Sequence, residues 1–252
     1  MRRILPLALV GAVLTAGLAA GQTNPTIVSK VNQNTKDFTR LNVSCASGMQ
    51  LTGGGAEALG NASILNGSFP SSATTWSAVG HQPGVGNLGL SSYGICAKVS
   101  GLQIVSHVNK NTKDFTRLTI SCPAGKKVLG GGAEALGSNS ILNGSFPVND
   151  TTWAAVGHQP GVGNLGLSVY AICGTVGGYQ QVSQVNVNTK DFTRLTVACP
   201  AGKKLIGGGA EALGSASILN GGFPADATTW AAVGHQPGVG NLGLSSYAIC
   251  AD

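Results

Sequence analysis

Three histidines, three tryptophans and six cysteines are the residues of this chain with the most chemistry to offer, and all recur at one spacing. His81, His158 and His235 are each 77 residues apart, and so are Trp76, Trp153 and Trp230, the only tryptophans. Each histidine heads the segment His-Gln-Pro-Gly-Val-Gly-Asn, so Gln82 and Asn87, Gln159 and Asn164, and Gln236 and Asn241 travel with it. An aromatic face with nearby amide and acidic side chains is the usual equipment of a sugar site. Trp76, His81, Gln82, Asn87 and Asp37 supply such a set, as do their counterparts in each copy, although packing in the core or between sheets is expected of the tryptophans ahead of an exposed platform. In a regular strand Trp76 and His81, five apart, face opposite sides. Bringing them together requires a bulge at Gly80.

Other chemistries fit less well. Ser, His and Asp occur in every copy, but no Gly-x-Ser-x-Gly elbow positions a nucleophile. Gly84-Val85-Gly86-Asn87-Leu88-Gly89 matches a dinucleotide fingerprint only as a string. That fingerprint needs a strand before it, a helix after it and an acid about 20 residues on. Pro83 precedes it and a β pattern follows, so it reads as a loop between strands. Short Cys-x-x-Cys spacings, which a structural metal would need, are absent from the sequence. No pattern calls for a cofactor or a metal. Asn66-Gly67-Ser68 is a glycosylation sequon, meaningful only in a glycosylating host.

The segments that position these residues form one unit written three times. Asn34-Thr35-Lys36-Asp37-Phe38-Thr39-Arg40-Leu41 returns at 111–118 and again at 188–195. The second and third copies agree at about four positions in five. Each copy holds two cysteines: Cys45 and Cys96, Cys122 and Cys173, Cys199 and Cys250. Six cysteines allow fifteen pairings, and the repeat favours the one inside each copy. A loop of about 50 residues closed in this way gains roughly 4 kcal/mol in the chain-entropy model.

The local pattern is β. Thr116, Leu118, Ile120 and Cys122 share one face of an extended strand, with Arg117, Thr119 and Ser121 opposite. Leu165, Leu167, Val169, Ala171 and Cys173 do the same further on. Lys127 to Leu136, Ile141 to Phe146 and Thr151 to His158 fill the interval as strands, punctuated by Asn-Gly, Phe-Pro and Pro-Gly turns. The bridge is expected to be buried and to join the first and last main strands of a copy. Gly130-Gly131-Gly132 predicts a bulge or close backbone approach. Lys36, Asp37, Arg40 and Glu57 supply most of a copy's charge and are expected to pair near a strand start.

Cys122-Pro123-Ala124-Gly125-Lys126-Lys127-Val128-Leu129-Gly130-Gly131-Gly132, followed by a Trp and then Val169-Tyr170-Ala171-Ile172-Cys173, resembles a module of secreted bacterial proteins of unestablished function. The third copy repeats it; the first lacks the proline, reading Cys45-Ala46-Ser47-Gly48. The likeness covers about 50 residues of each copy. More remotely, three β repeats with Cys-Pro-x-Gly openings are similar to vitelline membrane outer layer protein, whose repeats are shorter. That resemblance implies a three-sided β-prism. Neither resemblance carries over a catalytic residue.

Composition agrees with export and argues against several partners. Met1-Arg2-Arg3, an apolar run from Ile4 to Leu18, and small residues at 19–21 form the pattern of a secretory signal peptide. No later segment has the length and apolarity of a membrane span. Without Arg2 and Arg3 the chain carries 13 basic and 9 acidic residues, a net +4, scattered with no basic stripe. Nucleic acid is therefore not the expected partner. Charged residues are 10% and Gly is 39 of 252, while apolar residues at 42% exclude a disordered chain.

The expectation is an all-β protein of three tandem disulfide-closed repeats: a signal peptide over 1–21, then 22–101, 102–178 and 179–252. A pseudo-threefold β-prism is expected ahead of three separate beads. The expected role is secreted and non-enzymatic, structural or adhesive, with self-association and a glycan or cell-surface component as partner. The alternative is a trivalent carbohydrate-binding protein.

Overall fold

The computed structural model describes residues 24–214 and 216–252; the signal peptide expected over 1–21 lies outside them. Each copy forms six strands. The first contributes β1 (Thr26–Lys36), β2 (Leu41–Ser44), β3 (Gln50–Leu59), β4 (Ile64–Pro70), β5 (Thr75–His81) and β6 (Asn87–Ala97). The second contributes β7 (Gln103–Lys113), β8 (Leu118–Ser121), β9 (Lys127–Leu136), β10 (Ile141–Pro147), β11 (Thr152–His158) and β12 (Asn164–Gly174). The third contributes β13 (Gln180–Lys190), β14 (Leu195–Ala198), β15 (Lys204–Leu213), β16 (Ile218–Pro224), β17 (Thr229–His235) and β18 (Asn241–Ala251).

These strands make three six-stranded antiparallel sheets, and no sheet belongs to one copy. The orders are β1-β6-β3-β16-β17-β14, β13-β18-β15-β10-β11-β8 and β2-β5-β4-β9-β12-β7. Every copy is therefore split between two walls of a pseudo-threefold prism. The copies meet in mid-sheet through short seams: Gly67 opposite Glu134, Gly144 opposite Glu211, and Gly221 opposite Glu57. This interlock removes the bead arrangement, because half of each sheet would be missing from an isolated copy.

The opening strands β1, β7 and β13 were not visible in the alternation. Thr26–Lys36 is mostly polar, shows no sustained alternation and is largely exposed, with Lys30 and Lys36 along it. It is an outer strand, held by the backbone of β6, and lysines on a free edge discourage pairing with other chains.

All three bridges form within copies: Cys45–Cys96, Cys122–Cys173 and Cys199–Cys250. Cys45 follows β2 in one wall and Cys96 lies in β6 of another. Each disulfide thus ties two walls together. Its inner sulfur, at Cys96, Cys173 or Cys250, is fully buried.

The three consecutive glycines answer three separate packing demands. A methyl group on Gly53 would sit 2.7 Å from Gly207 Cα, one on Gly130 2.8 Å from Gly53 Cα, and one on Gly207 3.0 Å from Gly130 Cα. These three glycines bring β3, β9 and β15 together at the pseudo-threefold axis, where no side chain fits. The next glycine lies under an indole: a methyl on Gly131 would be 2.5 Å from Trp153 Cδ2. The third meets the neighbouring copy's backbone, 2.5 Å from Phe69 Cα for Gly132.

Each seam is sealed by side chains from two copies. Arg40 lies 5.0 Å from the centre of the Phe69 ring, Phe69 stacks on Tyr170 at 5.4 Å, and Arg40 reaches Glu134 at 3.6 Å. Arg117 with Glu211 and Arg194 with Glu57 repeat the arrangement. Pairing of Arg40 within its own copy, expected from the sequence, gives way to pairing across the seam. The reason is topological, since the edge holding Glu57 faces the third copy.

Candidate functional site

One end of the prism gathers most of the residues singled out from the sequence. Ile64, Ile141 and Ile218 touch one another there and plug the axis. Each pairs with the histidine that ends the adjacent strand, Ile64 with His81 for example. His81 Nδ1 lies 2.7 Å from Asn66 Oδ1, His158 Nδ1 2.7 Å from Asn143 Oδ1, and His235 Nδ1 2.6 Å from Asn220 Oδ1. An amide oxygen only accepts, so this bond assigns the ring proton to Nδ1. The asparagine amides then donate to the next copy: Asn66 to the Ser140 carbonyl, Asn143 to that of Ser217, and Asn220 to that of Ser63. The His–Asn pairs close a ring around the axis.

Two loops from each copy cover this ring. Asp37 Oδ1 accepts the Gln82 backbone N–H at 3.1 Å, and Phe38 N–H donates to the Gly80 carbonyl at 2.9 Å. Asn87 donates to Asn34. Gln82 Oε1 accepts from Ser63 Oγ at 3.3 Å. The same bonds recur around Gln159, Asn164, Gln236 and Asn241. The structure therefore brings His81, Gln82, Asn87 and Asp37 together, as it does their counterparts.

The residue these loops present is phenylalanine. Phe38, Phe115 and Phe192 hold φ of 59°, 60° and 59°, a left-handed backbone that bulky side chains rarely adopt. Each ring stacks one face on a histidine, at 4.9, 4.7 and 4.8 Å between centroids. Phe38 nevertheless remains 43% exposed, and Val85 on the neighbouring loop tip 58%. Sequence reasoning missed these phenylalanines. The recurring Lys-Asp-Phe-Thr-Arg block was visible, but exposure of its one aromatic was not.

Tryptophan does not join this site. Trp76, Trp153 and Trp230 are 1%, 0% and 1% exposed. A ring so covered cannot stack a sugar. The bulge that breaks the strand register falls at Asn66 on β4, not at Gly80 on β5, so Trp76 and His81 stay on opposite faces. The sequon asparagine Asn66 is itself buried and bonded, closed to glycan attachment. The glycine motif at 84–89 is a turn leading into β6, with Gly84 and Gly86 at positive φ. Among the described residues no group of three His, Cys, Asp or Glu side chains is placed to hold a metal.

The third copy departs from the others beside its tryptophan. Trp76 Nε1 donates to Ser68 Oγ at 3.0 Å and Trp153 Nε1 to Ser145 Oγ at 2.9 Å. Trp230 faces Gly222 instead, and its buried Nε1 has no partner among the described residues, next to a void of about 20 Å³. Gly222→Ser is expected to raise stability by about 1 kcal/mol, the net value of a buried hydrogen bond. Its Cβ would lie 3.0 Å from Ala210 Cβ, and the first two copies carry Ser68 and Ser145 at this position in the same cross-seam register. Denaturant titration of the variant checks this; an unchanged or lower midpoint refutes it.

Burial pushes the His81, His158 and His235 pKa values below their ordinary 6.5, opposed by Asp37, Asp114 and Asp191. The folded state then binds fewer protons than the unfolded chain, so stability falls as pH drops below 6.5. Burial raises Glu57, Glu134 and Glu211 above 4.5, opposed by their arginines. That shift has the opposite sign and adds stability as the carboxyls protonate. Denaturation midpoints should fall from pH 7 to 5 and flatten further down. Replacing all three histidines by Gln should remove the fall; a parent profile already flat over pH 5–7 would show the histidines uninvolved.

No family model matches the chain, and no curated protein sequence matches it.

Proposed function

We propose that the protein is a secreted, non-enzymatic structural or adhesive prism that presents its threefold end face to a cell-surface or matrix component. One observation carries the reading: three phenylalanines are held in an unfavourable backbone conformation with their outer faces open to solvent. Strain of this kind costs on the order of 1 kcal/mol at each position and persists where the surroundings enforce it. The hydrogen bonds accepted by Asp37 and Gly80 do the enforcing here. Six paired cysteines fit assembly in an oxidising compartment, as export requires.

A second reading, trivalent glycan binding, is favoured by the polar surroundings of each ring. Asp37 precedes Phe38 in the chain, and Asn87 bonds Asn34 between the same two loops, so the platform is phenylalanine in place of tryptophan.

The test compares the parent with the triple variant Phe38→Asn, Phe115→Asn, Phe192→Asn on a glycan array and on immobilised matrix polymers. Asparagine tolerates left-handed backbone, so the loops survive while the rings go. Loss of three linked sites should lower avidity by roughly a hundredfold or more. Undiminished binding by the variant would rule out the end face. Binding confined to defined glycans would select the second reading.

A further inference from the structure

The repeat places one cleft three times, once at each junction between copies, and the chain treats two of these clefts differently. Between the second and third copies the cleft is filled by the chain's own Tyr179. Its hydroxyl donates to the Val128 carbonyl at 3.0 Å and receives the Gln181 amide at 2.5 Å. The Gln181 amide also reaches the Asn149 carbonyl at 3.0 Å, and Lys127 Nζ lies 4.7 Å from the ring centre. Burial holds the Tyr179 pKa up at about 12, so the phenol stays a neutral donor.

Between the first and second copies the residue 77 positions earlier is Leu102, and Gln181 is matched by Ile104. No tyrosine enters from the junction segment, and a cavity of about 350 Å³ remains, lined by Leu51, Pro70, Ser72, Leu102, Ile104 and Tyr170. Of the groups that hold Tyr179, the backbone acceptor is retained. Leu51 stands where Val128 stands: each pairs with the last cysteine of its copy, beside a bulge. The Leu51 carbonyl thus occupies the acceptor position, while Leu102, Ile104 and Pro70 offer apolar sides for a ring. Gln50 replaces Lys127 at the rim. At the remaining junction the corresponding residue is Pro25.

We propose that the cleft between the first and second copies is a binding site for a small phenolic molecule, whose ring and hydroxyl take the places that Tyr179 takes one repeat later. The site lies apart from the threefold end face and does not depend on the function proposed for that face.

p-Cresol is the probe, titrated into the full-length oxidised protein with ¹³C-labelled methyl groups. A saturable response is expected at the Leu51, Leu102 and Ile104 methyls, with a dissociation constant on the order of 1 mM for so small a ligand. Toluene, which lacks the hydroxyl, should bind several-fold more weakly. Leu102→Tyr fills the cleft from within and should weaken p-cresol binding at least tenfold. Tyr179→Leu opens the neighbouring cleft and should add a saturable response at the Val128 methyls, leaving the first site unchanged. Each variant is informative alone, so failure of one to fold still leaves a test. Non-saturating shifts spread over the surface, equal binding of toluene, or undiminished binding to Leu102→Tyr would overturn the proposal.

Discussion

A fragment of residues 102–178, expressed alone with its disulfide formed, is expected to trimerise or to lose its cooperative melt. It contains β7 to β12, yet these belong to two different sheets, each completed in the intact prism by strands of another copy. β7, β12 and β9 form one half-sheet, and the free edge of β9 normally meets β4. β8, β11 and β10 form another, and the edge of β10 normally meets β15. Cutting both seams bares Gly130 and Gly132, whose packing partners Gly53 and Phe69 belong to the first copy. Two unpaired edges beside bare apolar surface are a template for association. Three fragments can restore every seam, because the three copies place matching residues there. Sedimentation equilibrium reads the outcome directly. A monomeric fragment with a sharp melt would mean that one repeat carries its own core, against the split-sheet arrangement.

Trp153→Ala should cost roughly 3–5 kcal/mol, the usual range for removing a large buried aromatic. Trp153 lies in β11 of one wall and covers Gly131 in β9 of another, so the cavity would open between walls. Collapse into it is resisted on two sides. Gly131 has no side chain to move, and β9 is pinned at the axis by Gly130 against Gly53. Loss of the indole also leaves Ser145 Oγ without its donor. Denaturant unfolding measures the loss. A variant as stable as the parent would show that the walls do not rely on the indole. The Trp153→Ala and Gly222→Ser changes act at different copies of the same wall contact, and their opposite expected signs make a matched pair.

The amino-acid sequence alone determined the repeat, its three copies, the pairing of cysteines within each and the β character of most strands. These are local or periodic properties. Alternation along Leu165 to Cys173 needs no partner to be recognised, and a spacing of 51 residues recurs whatever the fold. The glycine triplet was legible as close backbone approach, although not which backbone approached. What only the tertiary structure decided is which strands lie side by side. Nothing in the sequence of Gly144 and Glu211 says that they face each other across a seam, because the pairing depends on how three copies share walls. The opening strands escaped notice because an outer strand is specified by its neighbour's backbone rather than by its own alternation. Placement of the aromatic residues was decided in the same way. Tryptophan went to the wall contact, where glycine leaves room for an indole; Phe69, Phe146 and Phe223 went to the seams, while Phe38, Phe115 and Phe192 went to the end face, where a left-handed turn throws the ring outward. Polarity scales rank both residues as core formers; only the packing of the walls distributes them.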